Sequence, residues 1–273
     1  MQIREYSLPA GWYPRDSEGI SNFLSEFTRS GPFSRAAISP HAGWYYSGAI
    51  AARAAAALEP DAETVAVLGG HLSGSPPLFA MEDAVKTPFG PMLIDGEMRS
   101  ILLNELGGTE DRYRDNTIEV LLPMVRFFFP QARLLWLRLP SETASFKAGK
   151  TISQTAAKLN RKINVLASTD LTHYGINYGF LPKGTGSAAL RWVSEVNDAN
   201  FIKAVESGRG DDVLSRAEQD LSACSAGAVL GAMGFAEAEG LGKARLLEYA
   251  TSANVYDGEI PDSFVGYAAF AFG

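Results

Sequence analysis

The chain has three histidines and one cysteine in 273 residues, and each histidine comes just after a short structured signal. His41 sits in Ile38-Ser39-Pro40-His41-Ala42-Gly43, His71 in Val67-Leu68-Gly69-Gly70-His71, and His173 in Ser168-Thr169-Asp170-Leu171-Thr172-His173. Side chains at strand ends of an α/β sheet point into the crevice where ligands bind. Imidazole and thiolate are the usual ligands of zinc, iron and copper. Two or three donors drawn from His41, His71, His173, Cys224 and Asp170, with one position left open, would make a catalytic metal centre. No local metal motif such as His-Glu-x-x-His or Cys-x-x-Cys is present, so the signal lies in the set rather than in any pair. Taken singly, a loop histidine is most often a surface or capping group, and a lone cysteine a small buried hydrophobe. Ser222-Ala223-Cys224-Ser225-Ala226-Gly227 places the thiol near a helix N-terminus, where a thiolate is favoured. Asp170 precedes His173 by three and can fix its tautomer and raise its basicity; it can equally cap the segment after the strand.

Two other chemistries use the same residues. A serine hydrolase could draw on Ser39, Ser73, Ser168 or Ser225, but the Gly-x-Ser-x-Gly elbow is missing. A cysteine hydrolase would pair Cys224 as nucleophile with His173 as base. Phosphate-binding loops are absent, and Gly184-Thr185-Gly186-Ser187 follows no strand. The aromatics Trp44, Tyr45, Tyr46 and Tyr174 adjoin the first and third histidines. They could wall a ligand pocket or belong to the core.

The elements that must position these groups read as an α/β chain. A strand over 35–39, an alanine-rich helix over 46–58 and an apolar strand over 64–68 make the crossover unit of a parallel sheet. Further helices are predicted over 17–30, 96–107, 116–128, 146–159, 187–206 and 224–239. Further strands fall at 133–139, 163–168, 245–249 and 264–272. The opening Pro9-Ala10-Gly11-Trp12-Tyr13-Pro14 reads as a loop, mobile unless its rings pack. With no repeat, low-complexity tract or linker, one α/β domain over 1–273 is the simplest organisation.

Net charge is −7 with no basic cluster, which argues against nucleic acid as a partner. No run approaches the roughly 20 apolar residues that span a bilayer, so no membrane partner is expected. The N-terminus lacks the apolar stretch of a secretory signal. A single cysteine forms no intrachain disulfide. These readings together predict a cytoplasmic protein.

The ordered motifs resemble the Memo family, whose prokaryotic members include AmmeMemoRadiSam system protein B. The resemblance runs from Ala10-Gly11-Trp12-Tyr13-Pro14 through Pro40-His41-Ala42-Gly43-Trp44-Tyr45-Tyr46-Ser47-Gly48 and Leu68-Gly69-Gly70-His71. It continues through Thr87-Pro88-Phe89-Gly90, Ile118-Glu119-Val120 and Ser168-Thr169-Asp170-Leu171-Thr172-His173-Tyr174-Gly175. It closes on Ala223-Cys224 and Val265-Gly266-Tyr267-Ala268-Ala269. It implies a three-layer αβα domain with a mostly parallel central sheet, similar to class III extradiol dioxygenase subunits. It implies a divalent transition metal, iron first and copper or zinc as alternatives, held by His41, His71 and Cys224. Asp170 and His173 would line the same pocket as the acid–base pair, with Trp44, Tyr45, Asn116 and Tyr174 as ligand contacts. The implied function is dioxygenase-like redox chemistry on a small molecule, with a link to a radical-SAM partner protein. The alternative is an adaptor that binds a phosphorylated peptide or other ligand in that pocket without turnover. The sequence departs from the family pattern at Asp115-Asn116-Thr117-Ile118-Glu119, where a further pocket histidine is usual in place of Asn116. It departs again at Gly70 and after Cys224, where the common glycine and proline are missing.

Overall fold

The computed structural model describes residues 1–27, 29 and 31–273. At its centre four parallel strands lie in the spatial order Ala36–Ser39, Ile163–Ser168, Thr64–Gly69 and Arg133–Arg138. The first three are buried along their whole length. Strands covered on both faces read as near-continuous apolar runs, which is how they appear in the sequence apart from Asn164 and the strand ends. Successive side chains serve opposite layers. Ile38, Leu68, Leu137 and Val165 pack with the helices Ala144–Lys158 and Ala226–Ala238. Ala37, Val67, Trp136 and Leu166 pack with Trp44–Ala56 and Leu122–Phe128. The result is the three-layer αβα arrangement.

The flanks of the sheet are antiparallel, except for the outermost pairing of Leu78–Phe79 with Thr109–Glu110. On one side Ser263–Phe272 pairs with Ala36–Ser39 and also carries Ala244–Thr251 and His173–Gly175. On the other, Leu78–Phe79 pairs with Arg133–Arg138, and Thr109–Glu110 lies beyond it. Among the described residues this makes a nine-stranded sheet, with a small separate sheet of Ile3–Arg4, Ala84–Val85 and Met92–Leu93. No helix among them is long and apolar enough to cross a membrane.

Several predicted helices are interrupted or shorter for identifiable reasons. The helix predicted over 17–30 is Ser17–Leu24, with Asp16 as N-cap; Thr28 and Ser30 lie outside the described residues. The 116–128 stretch divides into Asn116–Glu119 and Leu122–Phe128, because Pro123 has no N–H and starts a helix rather than continuing one. The 187–206 stretch contains a π-turn at Val193–Asn197 between Ser187–Trp192 and Asp198–Ser207. Gly210–Gln219 is a helix absent from the sequence reading; only Val213 on it is fully buried, so its apolar signal is faint.

Helices Ala144–Lys158 and Ala226–Ala238 touch backbone to backbone. A Cβ at Gly149 would lie 1.9 Å from the Gly231 carbonyl oxygen, and one at Gly234 would lie 1.9 Å from that of Phe146. This contact seats Ala226–Ala238, and with it Cys224 just ahead of its N-terminus, against the sheet. Gly149→Ala is expected to lower stability by about 2 kcal/mol or more through overpacking, a fall of several degrees in Tm. Gly96→Ala, where the nearest atom to a new Cβ is 3.9 Å away on the flexible Arg99 side chain, is expected to leave Tm nearly unchanged. Thermal unfolding of the two variants checks this.

Candidate metal centre

The parallel strands end level with one another: Ser39 is paired with Ser168, Leu68 with Ala167 and Gly69 with Arg138. Two residues beyond these ends come His41, His71 and Asp170. The helix that follows Ala36–Ser39, Trp44–Ala56, packs on one face of the sheet, and Asp198–Ser207, which follows Ile163–Ser168, packs on the other. Such a divergence opens a crevice at the carboxyl ends of the strands. Cys224 enters from the opposite layer, anchored by its amide to the Asp170 carbonyl (3.2 Å) and by Ser225 N to Thr169 Oγ1 (3.1 Å).

Donor atoms of His41, His71 and Cys224 all lie within 4.8 Å of one another. Cys224 Sγ is 3.3 Å from His41 Nε2. Ligands of a tetrahedral ion with bonds of 2.0–2.3 Å are about 3.5 Å apart, so this group needs little movement to close on one. His41 Nδ1 is 2.6 Å from Ser168 Oγ, and His71 Nδ1 is 2.9 Å from Asp115 Oδ2. Each outer nitrogen is thus occupied, and Nε2 is left for the centre, as in metal-ligating histidines. The His41 and His71 rings meet edge to face with centroids 5.0 Å apart. His71 holds a positive φ of 57°, a strained conformation for a non-glycine residue. It is reached through Gly69 and Gly70, where a Cβ would strike Thr117 and Ser225 at 2.3 and 2.4 Å.

The three histidines, Cys224, Asp170 and Asp115 also sustain one another's charge. Burial works against every one, and neighbours of opposite sign outweigh it. Asp170 is buried, yet His41 and His173 hold its carboxyl below the usual carboxylate range, with the His41 amide donating to it at 2.7 Å. The Cys224 thiol is pulled well below its ordinary value by His41 and His71. His41 and His173 are raised by Asp170 and Cys224. His71 rises to about 10, against burial, through Asp115 and Cys224, while Asp115 falls to about 2 through His71, Thr117 and Arg138.

His173 Nε2 is 4.0 Å from Asp170 Oδ2, an ion-pair distance too long for a hydrogen bond. That nitrogen is buried and has no hydrogen-bond partner. The hydrogen-bonded partner of Cys224 is His41 rather than the His173 of the cysteine-hydrolase expectation. Asn116 lies at the site and donates to the His41 carbonyl at 2.9 Å.

A cavity of about 640 Å³ opens over His41, His71, Asn116, Asp170 and His173. The expected aromatic wall of Trp44, Tyr45 and Tyr174 is elsewhere. Trp44 is core, stacked near Phe23 and donating to the Val120 carbonyl. Tyr45 is exposed, and Tyr174 is fully buried against Phe264. In an α-helix neighbouring residues are 100° apart, so of the Trp44-Tyr45-Tyr46 run only Tyr46 faces the cavity. Tyr178, Tyr256, Tyr267 and Trp12 complete the wall. Tyr178 lies 4.9 Å from the His173 ring, and the Tyr46 and Tyr256 hydroxyls are 3.2 Å apart. The opening loop is fixed rather than mobile: buried Tyr13 packs beside Trp44, and Glu119 accepts from Ser7 N, Leu8 N and Tyr13 Oη.

Sequence reasoning missed Arg138. Buried at its strand end, it donates to the Gly70 carbonyl at 2.9 Å and pairs with Asp111 and Asp115 at 3.3 and 3.2 Å. The available signal was a charge closing the otherwise apolar run Leu134-Leu135-Trp136-Leu137.

The sequence model of the family described as Memo-like protein matches residues 4–271. A "MEMO1 family protein" of Pyrobaculum arsenaticum is 24% identical, covering 100% of this chain and 99% of its own. Those of Thermococcus onnurineus (28%; 99% of each chain) and Methanosarcina acetivorans (27%; 98% of each) are similar. A crystal structure of an uncharacterized Escherichia coli K12 protein aligns at TM-score 0.44 and 12% identity, over 86% of this chain and 98% of that one.

The His71–Asp115 pair gives a pH signature in metal-free protein. A histidine raised above its ordinary 6.5 adds stability below that value and loses it as pH rises through about 10. An aspartate lowered from 3.8 adds stability above that value and loses it as pH falls through about 2. Asp115→Asn is expected to drop the His71 midpoint from about 10 toward 6.5, read from its ring resonances by NMR titration.

Proposed function

The chain belongs to the Memo-like protein family, and from that premise we propose that it is a transition-metal protein whose cavity takes a small molecule for redox or oxygenase-type chemistry. The supporting observation is the convergence of His41, His71 and Cys224 within 4.8 Å, each imidazole already oriented by a bond to its far nitrogen. Two imidazoles and a thiolate suit iron, copper or zinc by donor type, and a redox-active ion bound there would supply electron-transfer and oxygen chemistry.

The remaining residues bind, orient and move protons. His173 presents a buried, unpartnered Nε2, and Asp170 favours its protonated form, so it would give a proton to a bound ligand and take it back. Tyr178 packs over that ring, and Tyr46, Tyr256 and Trp12 offer flat faces to the ligand. No lysine or arginine lines the cavity among the described residues. Phospho-motif recognition relies on arginine clusters, and the imidazoles here already face Asp115 and Asp170, so this lining favours an uncharged small molecule over a phosphorylated peptide.

A second reading uses the 3.3 Å contact of Cys224 with His41: a metal-free thiolate–imidazolium pair acting as a nucleophile. One experiment separates the two. Protein prepared without an affinity tag and loaded with Fe(II) or Cu(II) is expected to hold close to one ion per chain by elemental analysis. His41→Ala and Cys224→Ser are each expected to lose most of it, because such sites bind tightly and lose orders of magnitude with a ligand. Bound metal should shield Cys224 from iodoacetamide. Less than about 0.2 ion per chain, with His41→Ala no different, removes the metal reading, since a site of this kind binds far more tightly than that. Rapid stoichiometric alkylation under the same conditions supports the nucleophile.

A further inference from the structure

The loops that carry Cys224 and His173 are joined by a device the site chemistry does not use. The π-turn Val193–Asn197 ends with the Asp198 amide bonded to the Val193 carbonyl, five residues back. Ala189, Val193, Asn197, Phe201 and Val205 recur every four residues and are all buried. In an unbroken α-helix each such step overshoots a full turn by about 40°, and the row would wind off the buried face. The wider turn takes up that overshoot and points two consecutive polar residues, Asn197 and Asp198, into the core.

Asn197 joins both loops of the site, and Asp198 anchors one of them. Asn197 Nδ2 donates both its hydrogens: one to Thr172 Oγ1 at 2.9 Å, the other to the Asp220 carbonyl at 2.9 Å. Thr172 precedes His173. Asp220 opens the turn to Cys224, which passes through Leu221 at a φ of 49°. Asp198 Oδ1 accepts from Thr172 N at 3.1 Å and from Thr172 Oγ1, and its Oδ2 accepts from Tyr249 Oη at 2.7 Å. Room for that carboxylate exists only because residue 266 is glycine; a Cβ there would lie 2.0 Å from Asp198 Oδ2. Gly266 in turn exchanges backbone bonds with Leu171 and Thr172.

We propose that Asn197 and Asp198, presented by the π-turn, are positioning residues: Asp198 fixes the Asp170–His173 loop at Thr172, Asn197 ties that loop to the Cys224 loop, and the clamp they make together sets where the thiol stands relative to His41. The inference rests on the metal-centre reading for its purpose, though not for its geometry.

The test uses the full chain with Co(II) alone as probe, followed by its thiolate-to-cobalt absorption. Amide hydrogen exchange of the metal-free protein is the second arm. Asn197→Ala and Asp198→Ala are expected to weaken Co(II) binding at least about tenfold, the range for residues that orient metal ligands. The amides of Thr172 and Cys224 should exchange at least about tenfold faster, while those of Val165 and Leu166 in the central strand keep their protection. Asp198→Asn keeps an acceptor toward Thr172 and offers Tyr249 an N–H, so it should behave as the parent. If Asn197→Ala fails to fold, Asn197→Ser, whose hydroxyl is too short to reach both partners, replaces it. Unchanged Cys224 exchange and Co(II) affinity in both alanine variants would overturn the clamp, as would equal acceleration in the central strand. A parent protein that takes up no Co(II) defeats the metal reading, while the exchange arm still decides the clamp.

Discussion

Parallel strands that end level force the residues just beyond them into one small volume. Here Ser39 and Ser168 are register partners, with Gly69 at the same height, and the side chain two positions on is His41, Asp170 or His71. No local motif is needed, because the hydrogen-bonded ladder does the measuring. The same constraint explains the glycines before His71. With Thr117 and Ser225 pressed against Gly69 and Gly70, only a chain without side chains there fits between them on its way to His71.

Concentrating three imidazoles, a thiol and a carboxylate in a partly buried space would be destabilising if they repelled or stayed uncharged and unpaired. The arrangement alternates sign instead. Asp170 lies between His41 and His173, Cys224 between His41 and His71, and Asp115 between His71 and Arg138. Arg138 also ties Asp111, which accepts from Trp136 Nε1 at 2.8 Å, and the alternation continues outward through Arg4 to Glu82. Removing one member of such a network leaves its neighbour buried and unpaired, which costs more than the pair itself contributes.

The sequence made the parallel heart of the sheet legible, since buried strands such as Thr64–Gly69 and Ile163–Ser168 are mostly apolar, with Asn164 the one polar residue inside them. It also made the strand-end placement of the histidines legible. The choice of His41, His71 and Cys224 over His173 came only with the family resemblance. Their orientation could not be read, because Ser168, Asp115 and Arg138 act across contacts of 127, 44 and 67 residues in the chain. The aromatic wall was misread for a geometric reason: Trp44, Tyr45 and Tyr46 are consecutive on a helix and face three directions, and sequence adjacency to His41 says nothing of which one enters the cavity. Tyr178, Tyr256 and Tyr267 arrive from the far end of the chain.

Asn116 stands where the family pattern usually has a histidine, and its contacts say what the change removes. Its Nδ2 donates to the His41 carbonyl, so it steadies the backbone of one donor without supplying a donor itself. Every imidazole that remains has a carboxylate beside it, Asp115 for His71 and Asp170 for His41 and His173. The departure therefore subtracts one titratable group from the cavity wall while leaving the His41, His71 and Cys224 cluster and its orienting bonds intact. On the proposed reading, proton movement at the ligand then falls to His173, whose Nε2 is buried without a partner. A wall with a single such group suits chemistry that moves one proton at one position, and it gives the loop that holds His173 more influence over the site than its distance from Cys224 in the sequence suggests.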